Sequence, residues 1–389
     1  TNTVGGIVGT FVIPFFVIPT IGAPSAVAVL ALVNLGLAAT LVVMGGWATG
    51  RRQFALAING VPAALLLVAL ATGGVFRDPT VARLAALDDA VLFASAEDEI
   101  ASVHAGEVDG HPQLWVTGTS MTLLTVDAKL MPILPLALHP QARDMLVVAF
   151  GMGSSYRAGL IAGLRVDAVE LVPSVPAMYR YVYEDAARWA NHPDGRIIIA
   201  DGRNHVELTE KTYDIVMTDP PPPIESSGVS VIAGHDYYLA AKRKLNDGGV
   251  VMQWMPYGQR LDEFKAQLRT FADVWPEVIV AFGPGGYGFF MLGSERPMNF
   301  AQGALKSVIA RPGVYEDLAS AFDSPDLGRH EWPDFIRSLV WKQGREVRAF
   351  AGEGPLITDD RPLPEYFLLR RALGPESPMI NRQLLQAQG

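Results

Sequence analysis

The first 76 residues of the chain carry almost no charge, because Arg51 and Arg52 are their only charged side chains. Three apolar segments, at residues 4–21, 26–47 and 54–75, each approach the roughly 20 residues that a helix needs to cross a bilayer. Three such segments in succession predict transmembrane helices over residues 1–76, rather than a buried hairpin or a cleaved signal peptide. The sequence does not begin with Met, so the question whether further membrane spans precede residue 1 is left open.

The rest of the chain has an ordinary, acidic composition. Without the two arginines, the formal net charge of −9 becomes −11 for the remainder. An acidic balance argues against nucleic acid as a partner, because phosphate contacts need clustered Lys and Arg. The absence of cysteine excludes disulfides, thiolate nucleophiles and Cys-ligated metals. We expect no metal cofactor.

After the apolar block the pattern changes twice. We expect a connector over residues 77–90 and a small antiparallel β region over 91–140, because turn dipeptides separate short alternating runs. Over residues 141–300, buried-strand runs alternate with helical patterns, which predicts a Rossmann-like α/β domain of the class I methyltransferase type. Runs at 278–282 and 289–292 suggest an antiparallel edge pair. Residues 301–389 are expected to form a C-terminal helical extension.

Three strand ends carry candidate nucleoside-binding residues. The first strand runs into Gly151-Met152-Gly153, where glycines let the backbone pass close to a ligand. The second ends at Glu170, whose carboxylate can accept both hydroxyl protons of a ribose. The third ends at Asp201-Gly202, where an acid can meet an adenine edge, although a helix cap or a solvated loop is the alternative for either acid. No P-loop motif is present, so the pattern suits a nucleoside without phosphates.

The fourth strand ends at Asp219, and four prolines at residues 220–223 stiffen the loop that follows. A carboxylate held there can orient or deprotonate an amine nucleophile, while capping of the loop is the alternative. Four further side chains are candidates for an amine pocket, although packing is the alternative for the aromatic ones and the histidine: His235, Tyr237, Tyr238 and Gln253.

Together these motifs resemble the membrane-fused bacterial branch of the spermidine synthase (polyamine aminopropyltransferase) family, over about residues 91–371. The resemblance is carried by LPLALHP (134–140), MLVVAFGMG (145–153), DAVELVP (167–173), ADGRNHVEL (200–208), YDIVMTDPP (213–221), LNDGGVVMQW (245–254) and ITDDRPLPEY (357–366).

The resemblance implies a reaction in which a diamine attacks the aminopropyl carbon of decarboxylated S-adenosylmethionine and releases methylthioadenosine. It implies that Gly151 and Gly153 form the donor turn and that Glu170 holds the ribose. It also implies adenine contacts for Asp201 and Gly202.

On the amine side the resemblance implies that Asp219 is the general base. It aligns residues 127–129 with a Tyr-His-Glu cluster of soluble members, and Asp127 is therefore included among the substrate-binding residues. Two family carboxylates are absent, because Met152 and Pro222 occupy their positions. Each missing carboxylate removes a partner for one ammonium group of a diamine.

Three functions stay open. The first is an aminopropyltransferase that uses an S-adenosyl sulfonium donor and a polyamine or other small amine. The second is an S-adenosylmethionine-dependent amine methyltransferase, since Asp-Pro-Pro also resembles the [DN]PP[YFW] motif of such enzymes. The third is a non-catalytic sensor of a nucleoside or polyamine. A lipid bilayer and, by resemblance, a homodimer are the other expected partners.

The positive charges on the two sides of the third span predict opposite orientations in the membrane. Arg51 and Arg52 precede the third span, whereas Arg77 and Arg83 follow it. Because the donor is a cytosolic metabolite, we expect a multi-pass protein of the inner cell membrane with its catalytic domain facing the cytoplasm.

Overall fold

The computed structural model describes residues 2–45, 47–72, 78–219 and 228–387. The chain divides into two compact units, Thr1–Ser120 and Met121–Gly389. The division falls within a strand of the predicted β region, so that region is shared between the two units. The proline loop at 220–223, including Pro222, lies outside the described residues.

The first unit begins with apolar helices whose side chains point outward; Phe16 is 67% exposed and Leu41 is 70% exposed. A π-helical stretch around Pro14 interrupts the first of them, as expected where a proline removes a backbone donor. By length and composition, three stretches among the described residues could cross a membrane: Thr3–Ile21, Ala23–Met44 and Thr49–Thr72. The helices of this unit are α1 (Asn2–Val12), α2 (Ile18–Ile21), α3 (Ala23–Met44), α4 (Thr49–Thr72) and α5 (Pro79–Leu84).

The small β region forms an antiparallel sheet whose described strands follow chain order. Asp109 and Gly110 both have positive φ angles, of 53° and 73°. A two-residue hairpin of this kind needs positive φ at both positions, which is why Asp-Gly predicts it. The strands are β1 (Ala90–Glu97), β2 (Ser102–Val108), β3 (His111–Val116) and β4 (Thr119–Leu123).

In the second unit the described strands form a mixed sheet in the order β12-β10-β11-β9-β8-β5-β6-β7. The part β7-β6-β5-β8-β9 is parallel and has the 3-2-1-4-5 order of a Rossmann fold, which confirms the predicted class. The strands are β5 (Asp144–Val148), β6 (Arg165–Glu170), β7 (Gly195–Ile199), β8 (Tyr213–Thr218), β9 (Leu245–Pro256), β10 (Glu277–Phe282), β11 (Gly288–Ser294) and β12 (Val340–Gln343).

Helices cover this sheet and continue into the C-terminal region. They are α6 (Val126–Leu138), α7 (Ser154–Ile161), α8 (Ser174–Met178), α9 (Ala186–Ala190), α10 (Gly202–Leu208), α11 (His235–Arg243), α12 (Leu261–Val274), α13 (Gln302–Ile309), α14 (Val314–Ala319), α15 (Trp332–Leu339), α16 (Arg345–Ala351), α17 (Phe367–Leu373) and α18 (Arg382–Ala387).

The antiparallel pair β10–β11 occurs where the sequence predicted it, but it is not the edge of the sheet. β11 pairs with β9, and β12 pairs with the outer side of β10. The C-terminal extension is therefore not purely helical. A four-residue strand far along the chain gives little local signal, because its pairing is made by distant residues.

A buried ion-pair network attaches the C-terminal extension to the sheet domain. Lys129 of α6 donates to the backbone oxygen of Asp317 (2.8 Å) and to Oγ of Ser320 (2.6 Å), and its Nζ lies 3.3 Å from Oδ1 of Asp317. Arg157 of α7 pairs with the same Asp317 and, through two nitrogens, with Asp185. Lys129 and Asp317 are almost fully buried, so this attachment depends on charges that neutralise each other.

We expect Lys129→Met to lower the free energy of unfolding by about 3 kcal/mol, because it removes one partner of a buried carboxylate. Lys306→Met, on the exposed face of α13, is the matched control and should change it by less than about 0.5 kcal/mol. Denaturation of the full chain in detergent measures both. Equal stability of the two variants would contradict a structural role for the buried pair.

Candidate active site

The strand order of the main sheet reverses at β5, which has β8 on one side and β6 on the other. The carboxyl ends of strands at such a switch point are where open α/β sheets bind ligands. Asp219 follows β8 directly, and its backbone N–H donates to the carbonyl oxygen of Val148 at the end of β5 (3.2 Å). The backbone therefore holds Asp219 at the switch point.

The turn after β5 uses backbone conformations that favour glycine. Gly151 and Gly153 have φ angles of 54° and 73°. A Cβ at residue 153 would lie 2.7 Å from the rings of Phe150 and Tyr179, so packing also requires glycine there. A Cβ at residue 151 would meet no described atom within 4 Å, which leaves room for a ligand to approach the backbone. Met152 is buried, with 2% of its surface exposed.

Glu170, at the end of β6, holds this turn in place. Its Oε2 accepts from the N–H groups of Phe150 (3.1 Å) and Gly151 (3.3 Å), and its Oε1 accepts from that of Val172 (3.0 Å). Burial raises the pKa of Glu170, while these backbone donors lower it. Since a carboxylate accepts about four hydrogen bonds, room remains for about one ligand hydroxyl.

Asp201 is the N-cap of α10, because its Oδ1 accepts from the N–H of Asn204 at 2.7 Å. This is the helix-cap role that the sequence analysis kept as the alternative. Gly202 packs against β5, and a Cβ there would lie 2.6 Å from the side chain of Val148. Glycine at this position therefore lets the start of α10 approach the switch point closely.

Two carboxylates, Asp127 and Asp219, interact electrostatically at the switch point. Asp127, in α6, is 2% exposed, and its Oδ1 accepts from the N–H of Gly285 (2.8 Å). Burial raises the pKa of Asp127 to about 7, and the charge of Asp323 contributes to the increase. Burial and the charge of Asp127 likewise raise the pKa of Asp219 to about 7. Both groups can therefore exchange protons near neutral pH.

The loop between β10 and β11, at residues 283–286, is shaped around these acids. A Cβ at Gly283 would lie 2.1 Å from Oδ2 of Asp127. A Cβ at Gly285 would lie 2.3 Å from Oδ2 of Asp323 and 3.1 Å from Oδ1 of Asp127. Glycine is required at both positions, because carboxylate oxygens occupy the space that a side chain would fill.

Aromatic side chains complete the surroundings of Asp127. Nε1 of Trp254 and the hydroxyl of Tyr257 are buried without a hydrogen-bond partner among the described residues. Trp254 interacts with Asp127 and lowers its pKa, although this contact falls outside full hydrogen-bond geometry. Burial raises the pKa of Tyr257 to about 12, so its hydroxyl remains a donor at neutral pH. Both groups can donate to a ligand.

The two tyrosines predicted to line an amine pocket lie in the core. The hydroxyl of Tyr237 is 2.6 Å from Oγ1 of Thr218, and the ring of Tyr238 packs edge-on against Phe271 at 5.1 Å between centroids. Both tyrosines are fully buried. They have the packing role that the sequence analysis kept as the alternative.

The other two candidates for the amine pocket differ in their surroundings. Nε2 of His235 lies 3.0 Å from Oδ2 of Asp273 in α12, so the histidine joins two helices. Gln253 is fully buried on β9 beside Thr218, and both of its amide atoms lack a partner among the described residues. Gln253 therefore has polar capacity that the described side chains do not use.

Asp323 is the member of this carboxylate group that sequence reasoning missed. It lies in the C-terminal extension, 196 positions after Asp127, and its Oδ1 accepts from the N–H of Val126 at 2.7 Å. No local motif marks it. The glycines at positions 283, 285 and 286 are a weak signal, because glycine lets another group approach the backbone closely.

Comparisons with known proteins place this fold and site in context. No family model matches the chain. The chain is 25% identical over 230 residues to a polyamine aminopropyltransferase of Methanocaldococcus jannaschii, covering 55% of this chain and 75% of that protein. It is 22% identical over 218 residues to that of Thermococcus onnurineus, covering 52% and 72%. The crystal structure of spermidine synthase from Thermotoga maritima aligns at 18% identity with a TM-score of 0.46, covering 59% and 87%.

By its strand order the second unit is a Rossmann-like α/β domain. Its chain is similar in sequence to polyamine aminopropyltransferases, which are transferases, and this confirms the resemblance inferred from the motifs. The three apolar helices fit the membrane-fused branch by length and composition. Among the described residues there is no group of three or more His, Asp or Glu side chains arranged to hold a metal ion.

The raised pKa of Asp127 predicts how stability depends on pH. The folded state keeps a proton on Asp127 up to about pH 7, whereas the unfolded chain releases it near pH 4. The folded state therefore binds more protons across this window, so this group makes the protein less stable as pH rises through it. Asp127→Asn retains the Oδ1 acceptor. Its free energy of unfolding should exceed that of the wild type by on the order of 2 kcal/mol at pH 8, but by little at pH 4.

Thermal unfolding of the full chain in detergent at the two pH values measures this difference. Asp326→Asn, at an exposed position, is the control and should follow the wild type at both. If Asp127→Asn shows no relative gain at pH 8, Asp127 does not carry a raised pKa.

Proposed function

We propose that the protein is a membrane-anchored aminopropyltransferase that transfers an aminopropyl group from decarboxylated S-adenosylmethionine to a polyamine or another small amine. The observation that carries the proposal is the placement of Asp219 at the switch point, where its pKa and that of Asp127 are both raised to about 7. The sequence similarity to polyamine aminopropyltransferases supports it independently.

In this proposal Asp219 is the general base. An acceptor amine reaches the site as an ammonium ion, and the Asp219 carboxylate removes one proton to expose the nitrogen lone pair. The nitrogen attacks the aminopropyl carbon next to the sulfonium sulfur, so a C–N bond forms while the C–S bond breaks. The bonding pair stays on sulfur, which leaves as neutral methylthioadenosine. A carboxylate with a pKa near 7 is a stronger base than an ordinary aspartate, and about half of it is ionised at neutral pH.

The donor would lie across the carboxyl ends of β5 and β6. The open space beside Gly151 suits the close approach of a nucleoside to the backbone. The remaining acceptor capacity of Glu170 suits a ribose hydroxyl, and the start of α10 at Asp201 lies at the next strand end, where the adenine would be recognised.

Methyl transfer from intact S-adenosylmethionine is the second candidate. One observation favours it: Met152, at the position of a family carboxylate, is buried and cannot bind the aminopropyl amine as an acid would. Mass spectrometry of the full chain incubated with each donor and a panel of amines separates the two reactions. Release of methylthioadenosine would support aminopropyl transfer. Release of S-adenosylhomocysteine would instead identify the reaction as methyl transfer.

We expect Asp219→Asn to lower the rate of methylthioadenosine release by about 10²- to 10⁴-fold, the usual contribution of a general base. Binding of methylthioadenosine itself should change little, because the amide keeps the size of the carboxyl group. Asp247→Asn, at an exposed position, is the control for an unspecific loss of charge. Turnover at the wild-type rate in Asp219→Asn would rule out the base role.

The first unit supports a proposal for membrane topology. Oε1 of Glu97, in β1, accepts from the N–H of Ala23 at the start of α3 (3.0 Å), where a negative charge also suits the helix dipole. The start of α3 therefore lies on the same side of the membrane as the β region. α4 returns the chain toward that side, which leaves Arg51 and Arg52 on the opposite side. Because the donor is cytosolic, we propose that the β region and the catalytic domain face the cytoplasm.

Single-cysteine labelling tests this topology, because the natural chain contains no cysteine. With an impermeant maleimide added to intact cells, Gly50→Cys should be labelled, whereas Ser307→Cys on exposed α13 should react only after the membrane is opened. The reverse pattern would place the catalytic domain outside and remove its access to a cytosolic donor.

A further inference from the structure

The C-terminal extension places a carboxylate beside the acceptor site. α14 is attached to α6 and α7 through the buried pairs of Lys129 and Arg157 with Asp317. A few residues later the chain reaches Asp323, whose Oδ1 accepts from the backbone N–H of Val126 at the start of α6. The ion pairs of Asp317 hold the segment, and the hydrogen bond to Val126 holds Asp323 at the start of the helix that carries Asp127.

The carboxylates of Asp127 and Asp323 can be touched by one small cation. The Cβ position of Gly285 would lie 2.3 Å from Oδ2 of Asp323 and 3.1 Å from Oδ1 of Asp127. These two oxygens are therefore within about two hydrogen-bond lengths of each other. Because residues 283 and 285 are glycines, no side chain from these two positions enters the space beside the acids, and the ring of Tyr287 borders it.

Both carboxylates have acceptor capacity that the described residues do not use. Oδ2 of Asp127 and Oδ2 of Asp323 are buried, and neither has a hydrogen-bond partner among the described residues. The residue Asp127 as a whole is 98% buried. Burying an unpaired acceptor is unfavourable, and burying a charged one more so. Burial raises the pKa of Asp323, and the charge of Lys129 lowers it. The hydrogen bonds of the Lys129 Nζ, however, go to Asp317 and Ser320 and leave Oδ2 of Asp323 without a donor. A positively charged ligand with several N–H donors would satisfy both oxygens.

We propose that Asp127 and Asp323 together bind one ammonium group of a linear aliphatic diamine or polyamine, whose other amine reaches Asp219. This inference rests on the proposed function. It assigns to Asp323 a substrate-binding role that compensates for the diamine-binding carboxylate missing at residue 222. The ammonium donates one N–H to each carboxylate, and charge-assisted hydrogen bonds of this kind are about twice as strong as neutral ones.

The test measures binding of putrescine and of spermidine to the full chain in detergent by calorimetry, without donor. Asp323→Asn keeps an Oδ1 acceptor for the N–H of Val126 and should weaken binding of at least one amine about tenfold or more, since it removes a charged partner. Asp127→Asn should cause a similar loss, and it serves as the second variant if Asp323→Asn proves unstable. Asp326→Asn, three positions along the same segment and exposed, should bind like the wild type.

The proposal is overturned if the wild type binds neither amine, or if a folded Asp323→Asn or Asp127→Asn variant binds both with wild-type affinity. A loss of affinity in every one of the two variants that folds, but not in Asp326→Asn, supports it. The proposed function fails separately, because it is judged by methylthioadenosine release. A protein that binds amines through these acids but releases no methylthioadenosine with any of them would keep this site and lose the reaction.

Discussion

The burial of carboxylates that lack a full set of partners is the constraint on which the candidate site depends. Burial raises the pKa of both Asp127 and Asp219 to about 7. Near that pH the neutral acid costs little free energy to bury, and the carboxylate form remains available as a base. A fold keeps such groups only where the surrounding structure fixes them. Here the main sheet fixes Asp219, α6 fixes Asp127, and the glycines at positions 283 and 285 leave room for the carboxyl group of Asp127.

The C-terminal extension adds to this constraint. Its attachment through Lys129, Arg157 and Asp317 is internally neutralised, so it brings no uncompensated charge into the domain. The same attachment brings Asp323 next to Asp127 and raises the pKa of Asp127 further. Lys129 thus has a structural partner in Asp317, and the same segment carries Asp323 to the start of α6. A lysine at position 129 is therefore explained by α14, which supplies its partner Asp317.

Much of the fold could be predicted because its signals are local. Alternating strand and helix patterns indicated the parallel part of the sheet, and Asp109-Gly110 indicated a hairpin that needs positive φ at both residues. The short strand β12 could not be predicted, because its pairing with β10 is decided by residues more than fifty positions away. The expectation that β10 and β11 form an antiparallel pair was correct. Their expected place at the edge of the sheet was wrong, because β12 pairs with the outer side of β10.

The sequence by itself determined the apolar N-terminal helices, the class of the α/β domain and the position of Asp219 after a parallel strand. These follow from periodicity and from the rule that parallel strands end at one edge of the sheet. Only the tertiary structure decided that Asp201 caps a helix, that Tyr237 and Tyr238 belong to the core, and that Asp323 approaches Asp127. The physical reason is that burial and the proximity of charges depend on contacts between distant segments, which no local pattern records.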